Sequence, residues 1–183
     1  MRVYRSIFIV MIAMITLTAL SVFYKQEYGL LNLKLSEFSR DTQKQIHCLA
    51  ENIYYEAGYE PKDGQMAVAL VTLNRVQDPR FPKDICGVVK QKTASLCQFS
   101  WFCEPRKSVN ERVYKDNLEV ALFVYANYEN LSDLTNGAKY YHADYVNPHW
   151  RGLEKTTKIG RHIFYKEKDN DVKTESTTKG RAI

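Results

Sequence analysis

Histidine is scarce in this chain. There are four in 183 residues, and none stands at the tight Cys-x2-Cys or His-x3-His spacing of a zinc site. His142 and His149 are seven apart across Pro148, so neither a metal nor another cofactor is expected. Glycine (8) and proline (5) are too few for a collagen-like or low-complexity chain. No internal repeat is visible, which argues against a solenoid. A basic stripe is also missing: 26 Lys and Arg are scattered among 21 Asp and Glu, and a nucleic-acid partner is not expected without one. What is plentiful is apolar surface. Hydrophobic residues make up 45%, with 13 Tyr and 8 Phe, which rules out a wholly disordered chain. The length suits one domain with a sizeable core plus short extensions. The net charge of +5 fits weak long-range attraction to a polyanionic surface such as a bacterial envelope.

Charge is absent altogether from Ile7 to Phe23, IFIVMIAMITLTALSVF. Such a run spans roughly 25 Å as a helix, just short of the hydrocarbon core. Arg2 and Arg5 precede it and place the N-terminus inside by the positive-inside rule. Residues 1–24 are therefore expected to be a single transmembrane helix acting as a signal anchor. A cleaved signal peptide is the alternative, with Ala19 and Ser21 at the small-residue positions of a cleavage site. The anchor puts the rest of the chain in the periplasm on the inner membrane; cleavage would release it. Cys48, Cys86, Cys97 and Cys103 are an even set in an exported segment, so they are disulfide candidates with all three pairings open.

Residues 25–44 read as a stalk. From Gln45 the pattern turns helical: Ile46, Leu49, Ala50, Ile53, Tyr54 and Ala57 recur on one face. Gly58 offers a C-cap and Pro61 blocks simple continuation. Asp63 is placed to cap a second helix, Gln65 to Val76, which is apolar on most faces and so expected to be buried. The stretch 84–103 is short-element territory, with Val88 and Val89 expected in a strand. Helical spacing returns from Glu111 to Tyr128, Asn136-Gly137 marks a turn, and Lys139 to Val146 suits a strand or extended loop. His162 to Tyr165 reads as a closing strand. Residues 45–166 thus form one α+β, mainly helical domain with short strands, and the polar 167–183 should be a disordered tail.

The chemistry concentrates at Glu56. On a helical wheel it lies roughly 80° from Ile46, on the shoulder of the apolar face. It also sits one turn from a helix C-terminus. Partial burial and the negative end of the helix dipole both favour the protonated carboxyl, which is what a general acid for glycosidic cleavage needs. Glu60 is four residues on, but Gly58 and Pro61 put it in the turn, where a carboxylate that fixes the loop is the simpler role.

The chain resembles the SleB/CwlJ family of cell-wall hydrolases, in a cysteine-bearing version like that of Gram-negative bacteria or their phages. The resemblance covers Ile46 to Tyr165. Its markers are Asn52-Ile53-Tyr54-Tyr55-Glu56-Ala57, Gly64-Gln65-Met66-Ala67-Val68-Ala69, Leu73-Asn74-Arg75-Val76, Phe81-Pro82 and Cys86-Gly87-Val88-Val89. Cys97-Gln98-Phe99-Ser100-Trp101, Gly137-Ala138, Tyr141-His142-Ala143, Val146, Pro148, Trp150, Ile159-Gly160 and His162-Ile163-Phe164-Tyr165 follow. The family's key Glu opens a Glu-Ala-Arg-Gly-Glu motif and falls on Glu56. Here the motif reads Glu56-Ala57-Gly58-Tyr59-Glu60, with the Arg missing and the Gly one place earlier.

The resemblance implies a lysozyme-like helical core and a peptidoglycan-degrading enzyme that cleaves between N-acetylmuramic acid and N-acetylglucosamine, as a lytic transglycosylase with Glu56 as its single catalytic carboxyl. Gln98, Ser100, Trp101, Tyr141 and His142 are the substrate-binding candidates: aromatic faces stack on pyranose rings, while Gln, Ser and His bond hydroxyl and acetamido groups. Asn74 and Arg75 are expected to tie helix ends to loops. Peptidoglycan is the expected partner, whether for host wall remodelling or for phage lysis. Two alternatives stay open: an N-acetylmuramoyl-L-alanine amidase, for which Cys97 with His142 could be imagined, and an inactive membrane-anchored wall-binding protein.

Overall fold

The computed structural model describes residues 33–168, apart from 95 and 105–107, together with Met11, Ile12, Met14, Ile15, Thr16 and Thr18. Those six belong to the expected membrane segment and are helical. Thr18 bonds the carbonyls of Met14 and Ile15 through its hydroxyl. The rest of 1–24, most of the stalk and the tail from 169 on lie outside the described residues. Among the described residues no helix is long and apolar enough to cross a membrane. Contacts divide the chain into two units, 1–38 and 39–183. Among its described residues the first includes a 3-10 turn at Leu35–Glu37.

Among its described residues the second unit carries five helices and a small sheet. Helix α1 is Arg40–Ala57, α2 is Lys62–Gln77, α3 is Ile85–Val89, α4 is Ser100–Cys103 and α5 is Glu111–Asn127. Strand β1 is Tyr140–Ala143, β2 is Leu153–Ile159 and β3 is His162–Glu167. The strands pair antiparallel in the order β1-β3-β2. The architecture is mainly helical with a three-stranded sheet, as the sequence leads one to expect.

Several boundaries shift. Helix α1 begins at Arg40, inside the stretch read as stalk, because Ser39 caps it: the Thr42 amide donates to the Ser39 hydroxyl over 3.2 Å. Helix α2 starts at Lys62 with Pro61 at its N-cap, so Asp63 sits in the first turn and is not the cap. Val88 and Val89 are helical, not in a strand. Asp84 accepts the Gly87 amide at 2.8 Å and starts a one-turn helix there, and both valines are buried. At the far end β3 runs through Glu167, one residue into the expected tail, since Glu167 accepts from Tyr140 and Arg80.

Helix α2 is the centre. It is buried along most of its length, from Gly64 to Leu73 and again at Arg75, because α1, α3 and α5 pack around it and the sheet covers its remaining side. Ala67 and Val71 of α2 meet Ala138 and Phe164, with Tyr141 and Ile159 at the edge. Helix α1 contributes Ile46, Leu49 and Ile53, all fully buried, each stabilising the fold by about 1.5–3 kcal/mol. Cys48 is bonded to Cys86, joining α1 to α3, and Cys97 to Cys103, closing the loop that carries α4. The segment before β1 is pinned by Asp133, whose carboxylate accepts from the Thr135 amide and hydroxyl, the Gly137 amide and the Asn74 amide group. Asn136 and Gly137 both take positive φ in that turn, as the Asn-Gly pair suggests.

Candidate active site

Glu56 is the penultimate residue of α1, on the edge of the buried face, and three elements converge on it. From β1, the Tyr141 hydroxyl donates to Glu56 Oε2 at 3.2 Å. From α4, the Trp101 indole N–H lies near enough to favour the carboxylate, yet makes no hydrogen bond of full geometry. From α2, the Arg75 guanidinium acts on it as a charge. Burial dominates all three and pushes the Glu56 carboxyl above its ordinary range, while Tyr141, Trp101 and Arg75 pull the other way. The Tyr141 phenol is itself pushed well up, by burial first and then by the Glu56 charge, so it stays a donor.

Two clefts meet at Glu56. One, about 450 Å³, is lined by Tyr54, Tyr55, Tyr59, Glu60, Ser108 and Arg161 together with the backbone turn at Ala57 and Gly58. The other, about 300 Å³, is lined by Arg75, Cys97, Gln98, Phe99, Ser100 and Tyr141. Glu56 is the residue shared by both linings.

The turn after Glu56 is held from two sides. Gln65 Nε2 donates to the carbonyls of Glu60 and Gly58 at 2.9 and 3.3 Å. The Glu60 carboxylate accepts the Arg161 amide at 3.1 Å and lies hard against Gly160, so it clasps the tight β2–β3 turn. This is the loop-fixing role expected of Glu60. The displaced glycine has a physical reason. Gly58 keeps an ordinary right-handed helical φ of −58°, but a Cβ there would press on the Tyr54 carbonyl and stand 3.2 Å from Asn117 Oδ1. At the next position Tyr59 has no positive φ, so the turn needs no glycine there, and its side chain is 79% exposed.

Of the sequence-derived candidates, Gln98, Ser100 and Tyr141 line the second cleft beside Glu56. Trp101 is close by, but its ring stacks on Tyr55 at 4.5 Å between centroids, so one aromatic face is already covered. His142 is not at the site. Neighbouring residues of a strand face opposite ways, and with Tyr141 turned toward Glu56, His142 turns to the outer face of the sheet. There it bonds the Tyr165 hydroxyl at 3.0 Å and the Ala143 carbonyl at 2.8 Å. Cys97 is bonded to Cys103, so Cys97 and His142 form no nucleophile–base pair.

Arg75 is the residue the sequence reading under-rated. It does tie α2 to a loop, donating from Nε to the Lys139 carbonyl at 2.7 Å, but it also lines the second cleft. The available signal is a charged residue beyond the first turn of a helix whose middle is apolar. Asn74 behaves as expected: it donates to Asp133 and to the Ala138 carbonyl and accepts from the Tyr128 hydroxyl.

Residues 59–165, more than half of the chain, match the sequence model of the cell wall hydrolase family. The chain belongs to the cell wall hydrolase family. The matched span opens three residues beyond Glu56, so the case for that carboxyl rests on its motif and its geometry. This cell wall hydrolase is 30% identical over 127 residues to a spore cortex-lytic enzyme of Bacillus subtilis (strain 168), covering 65% of this chain and 36% of that protein. It is 32% identical over 121 residues to a spore cortex-lytic enzyme of Halalkalibacterium halodurans, covering 65% and 34%. The chain thus spans about a third of the length of these relatives. Among solved structures it is similar to the catalytic domain of the germination-specific lytic transglycosylase SleB from Bacillus anthracis, with a TM-score of 0.51 and 29% identity over 70% of this chain and 97% of that one.

Proposed function

We propose that this cell wall hydrolase degrades peptidoglycan by cleaving the glycan strand between N-acetylmuramic acid and N-acetylglucosamine, as a lytic transglycosylase. The observation that carries this is the position of Glu56, a carboxyl whose affinity for its proton is raised by burial, at the junction of two clefts. The SleB domain from Bacillus anthracis, covered almost end to end, is a lytic transglycosylase, and the same bond is read onto this chain.

In this reading the strand lies across both clefts. Glu56 donates its proton to the glycosidic oxygen, and the leaving sugar departs on one side. The carboxylate left behind accepts the proton of the muramoyl 6-hydroxyl, whose oxygen closes a 1,6-anhydro ring. One group acts as acid and then as base, so no second catalytic carboxylate is needed, unlike the two-carboxylate glycosidases. Of the other acidic residues, Asp84 caps α3 and Asp144 pairs with Lys158 at 2.9 Å. Glu60 clasps the β2–β3 turn. Tyr141 holds the Glu56 carboxyl in place, and Gln98 and Ser100 offer side-chain donors and acceptors to the sugar in the second cleft.

Product analysis of digested sacculi tests the reading. Anhydro-muropeptides support it. Reducing muramic ends would make the enzyme a hydrolase, free stem peptides an amidase, and an intact strand with retained binding a wall-binding protein. The apolar run 7–23 fits an inner-membrane anchor that holds the domain on the periplasmic side. N-terminal sequencing of membrane fractions tests that part: a chain starting at Met1 is expected, and one starting near Val22 would mean a cleaved signal.

A further inference from the structure

Arg75 presents an unusual combination. It is 3% exposed, and its Nη1 has no hydrogen-bond partner. It makes no ion pair of its own among the described residues. A buried charge without a partner is strongly destabilising, so its retention calls for a compensating group. The guanidinium cannot swing to find one. Nε is fixed on the Lys139 carbonyl at 2.7 Å, and the group is packed 5.5–6.0 Å from the ring centres of Phe81, Phe99 and Tyr140. Those rings and that carbonyl stabilise a cation in part. Glu56 lines the second cleft together with Arg75, and its charge acts on the guanidinium after burial and the Tyr141 and Tyr140 phenols.

We propose that Arg75 is a positioning residue for Glu56: its clamped guanidinium is the counter-charge that lets the Glu56 carboxyl serve as acid and then as base within one turnover. The inference rests on the reading of Glu56 as the proton donor. While Glu56 is protonated, the Arg75 charge is uncompensated. Once the proton leaves for the glycosidic oxygen, a carboxylate and a guanidinium share the wall of one cleft and their attraction is gained. An interaction that strengthens along the reaction accelerates it, whereas one present throughout does not. Because the guanidinium is clamped, it stays in the wall and the carboxylate remains free to take the muramoyl proton.

The other charged groups lining a cleft with Glu56 are Glu60, whose carboxylate accepts the Arg161 amide, and Arg161, whose guanidinium lies over the Tyr145 ring at 5.5 Å. From β1 comes Tyr141, a neutral donor. From β3 comes His162, buried and edge-on to Tyr141 at 5.3 Å, whose basicity burial lowers. From α4 comes the uncharged Trp101, and the α5 residue Tyr114 faces Tyr54 at 6.0 Å.

The test compares Arg75→Gln and Arg75→Lys with wild type on purified sacculi, following kcat/KM against pH, with thermal melts as the check on folding. Activity needs protonated Glu56, so the alkaline limb of the profile reports its ionisation. Arg75→Gln removes the charge while keeping a donor for the Lys139 carbonyl, and should move that limb to higher pH. It should also lower kcat more than it changes KM. Arg75→Lys should leave the limb where it is. A folded Arg75→Gln whose limb does not move overturns the proposal and leaves Arg75 a packing residue. If Arg75→Gln does not fold, Arg75→Lys decides: an unmoved limb supports the proposal, a displaced one overturns it. Glu56→Gln, run alongside, separates the two readings, because an active Glu56→Gln removes the assignment of the proton donor itself.

Discussion

Tyr141 and Glu56 stand 85 residues apart in the chain and share one hydrogen bond, the phenol donating to the carboxyl at 3.2 Å. That contact joins the helical half of the domain to the sheet. Its geometry depends on α1 ending where it does and on β1 pairing with β3 in the register Tyr141↔Phe164. Phe164 is fully buried against Ala67 and Val71 of α2, so the strand cannot slide by one residue without turning Tyr141 out to solvent. The same packing that stabilises the sheet therefore sets the position of the carboxyl's partner.

Replacing Glu56 by Gln should leave the fold intact and lower glycan cleavage by about 10²–10⁴-fold, the usual worth of a positioned general acid. The amide keeps the shape and has no proton to give. Glu60→Gln should cost far less, because an amide oxygen still accepts from the Arg161 amide. Cleavage rates of the two variants on sacculi check this. A dead Glu60→Gln beside an active Glu56→Gln would reverse the assignment.

Tyr141→Phe removes the donor to Glu56 and little else, since the ring remains packed on Phe164. A hydrogen bond to a charged group contributes roughly 1.5–3 kcal/mol, so kcat/KM should fall about tenfold or more. The sign of the pH effect follows from burial, which already pushes the Glu56 carboxyl up. Taking away a group that favours the anion pushes it further, so the alkaline limb should move to higher pH. A limb that stays in place, or moves lower, would mean that the hydroxyl does not bond the carboxylate in the working enzyme.

Much of this arrangement is legible in the sequence, for identifiable reasons. Helices α1 and α5 carry one-sided apolar stripes, and Glu56 falls on the shoulder of such a stripe. The rest is hidden by tertiary context. Val88-Val89 reads as strand because both residues are β-branched, yet Asp84 starts a turn that buries them as helix. Strand β2, LEKTTKI, leaves no clear mark in the sequence because it is an edge strand, with a bulge between Lys155 and Thr157 and no buried position. The choice between Tyr141 and His142 is a matter of parity: strand periodicity says that they face opposite ways but not which faces in. That depends on register with β3, which only the fold supplies.

The disulfide from Cys48 to Cys86 closes 38 residues that include all of α2 and the turn after Glu56. In the chain-entropy account a loop of that length contributes roughly 4 kcal/mol. Cys48→Ser with Cys86→Ser should therefore melt well below wild type, whereas opening the six-residue Cys97–Cys103 loop should cost less stability and more activity, because Gln98 and Ser100 ride on it. Alkylation of the untreated protein followed by mass measurement should find no free thiol among the four. Equal melting temperatures for the two double variants would contradict this ranking.

Asp133 supplies the last test, and it is a test of acid stability. Burial works to raise its carboxyl, but hydrogen bonds from Thr135, Asn74 and Gly137 outweigh burial and hold it below the ordinary Asp range. A group with a depressed folded value contributes stability that is present above the unfolded value, about 3.9, and is lost as pH falls through the folded one. In Asp133→Asn one oxygen becomes an NH2 facing donors from Asn74 and the Gly137 amide, which strands those donors at about 1–3 kcal/mol. The variant should accordingly be less stable than wild type at pH 7, with the gap closing as pH drops below about 3.9 and wild-type Asp133 takes up its own proton. The turn it anchors runs directly into β1, so cleavage should fall as well, through the position of Tyr141. Urea titrations at neutral and acid pH measure the gap. A difference that is the same at both would show that Asp133 acts through shape alone and that its charge does not hold the turn.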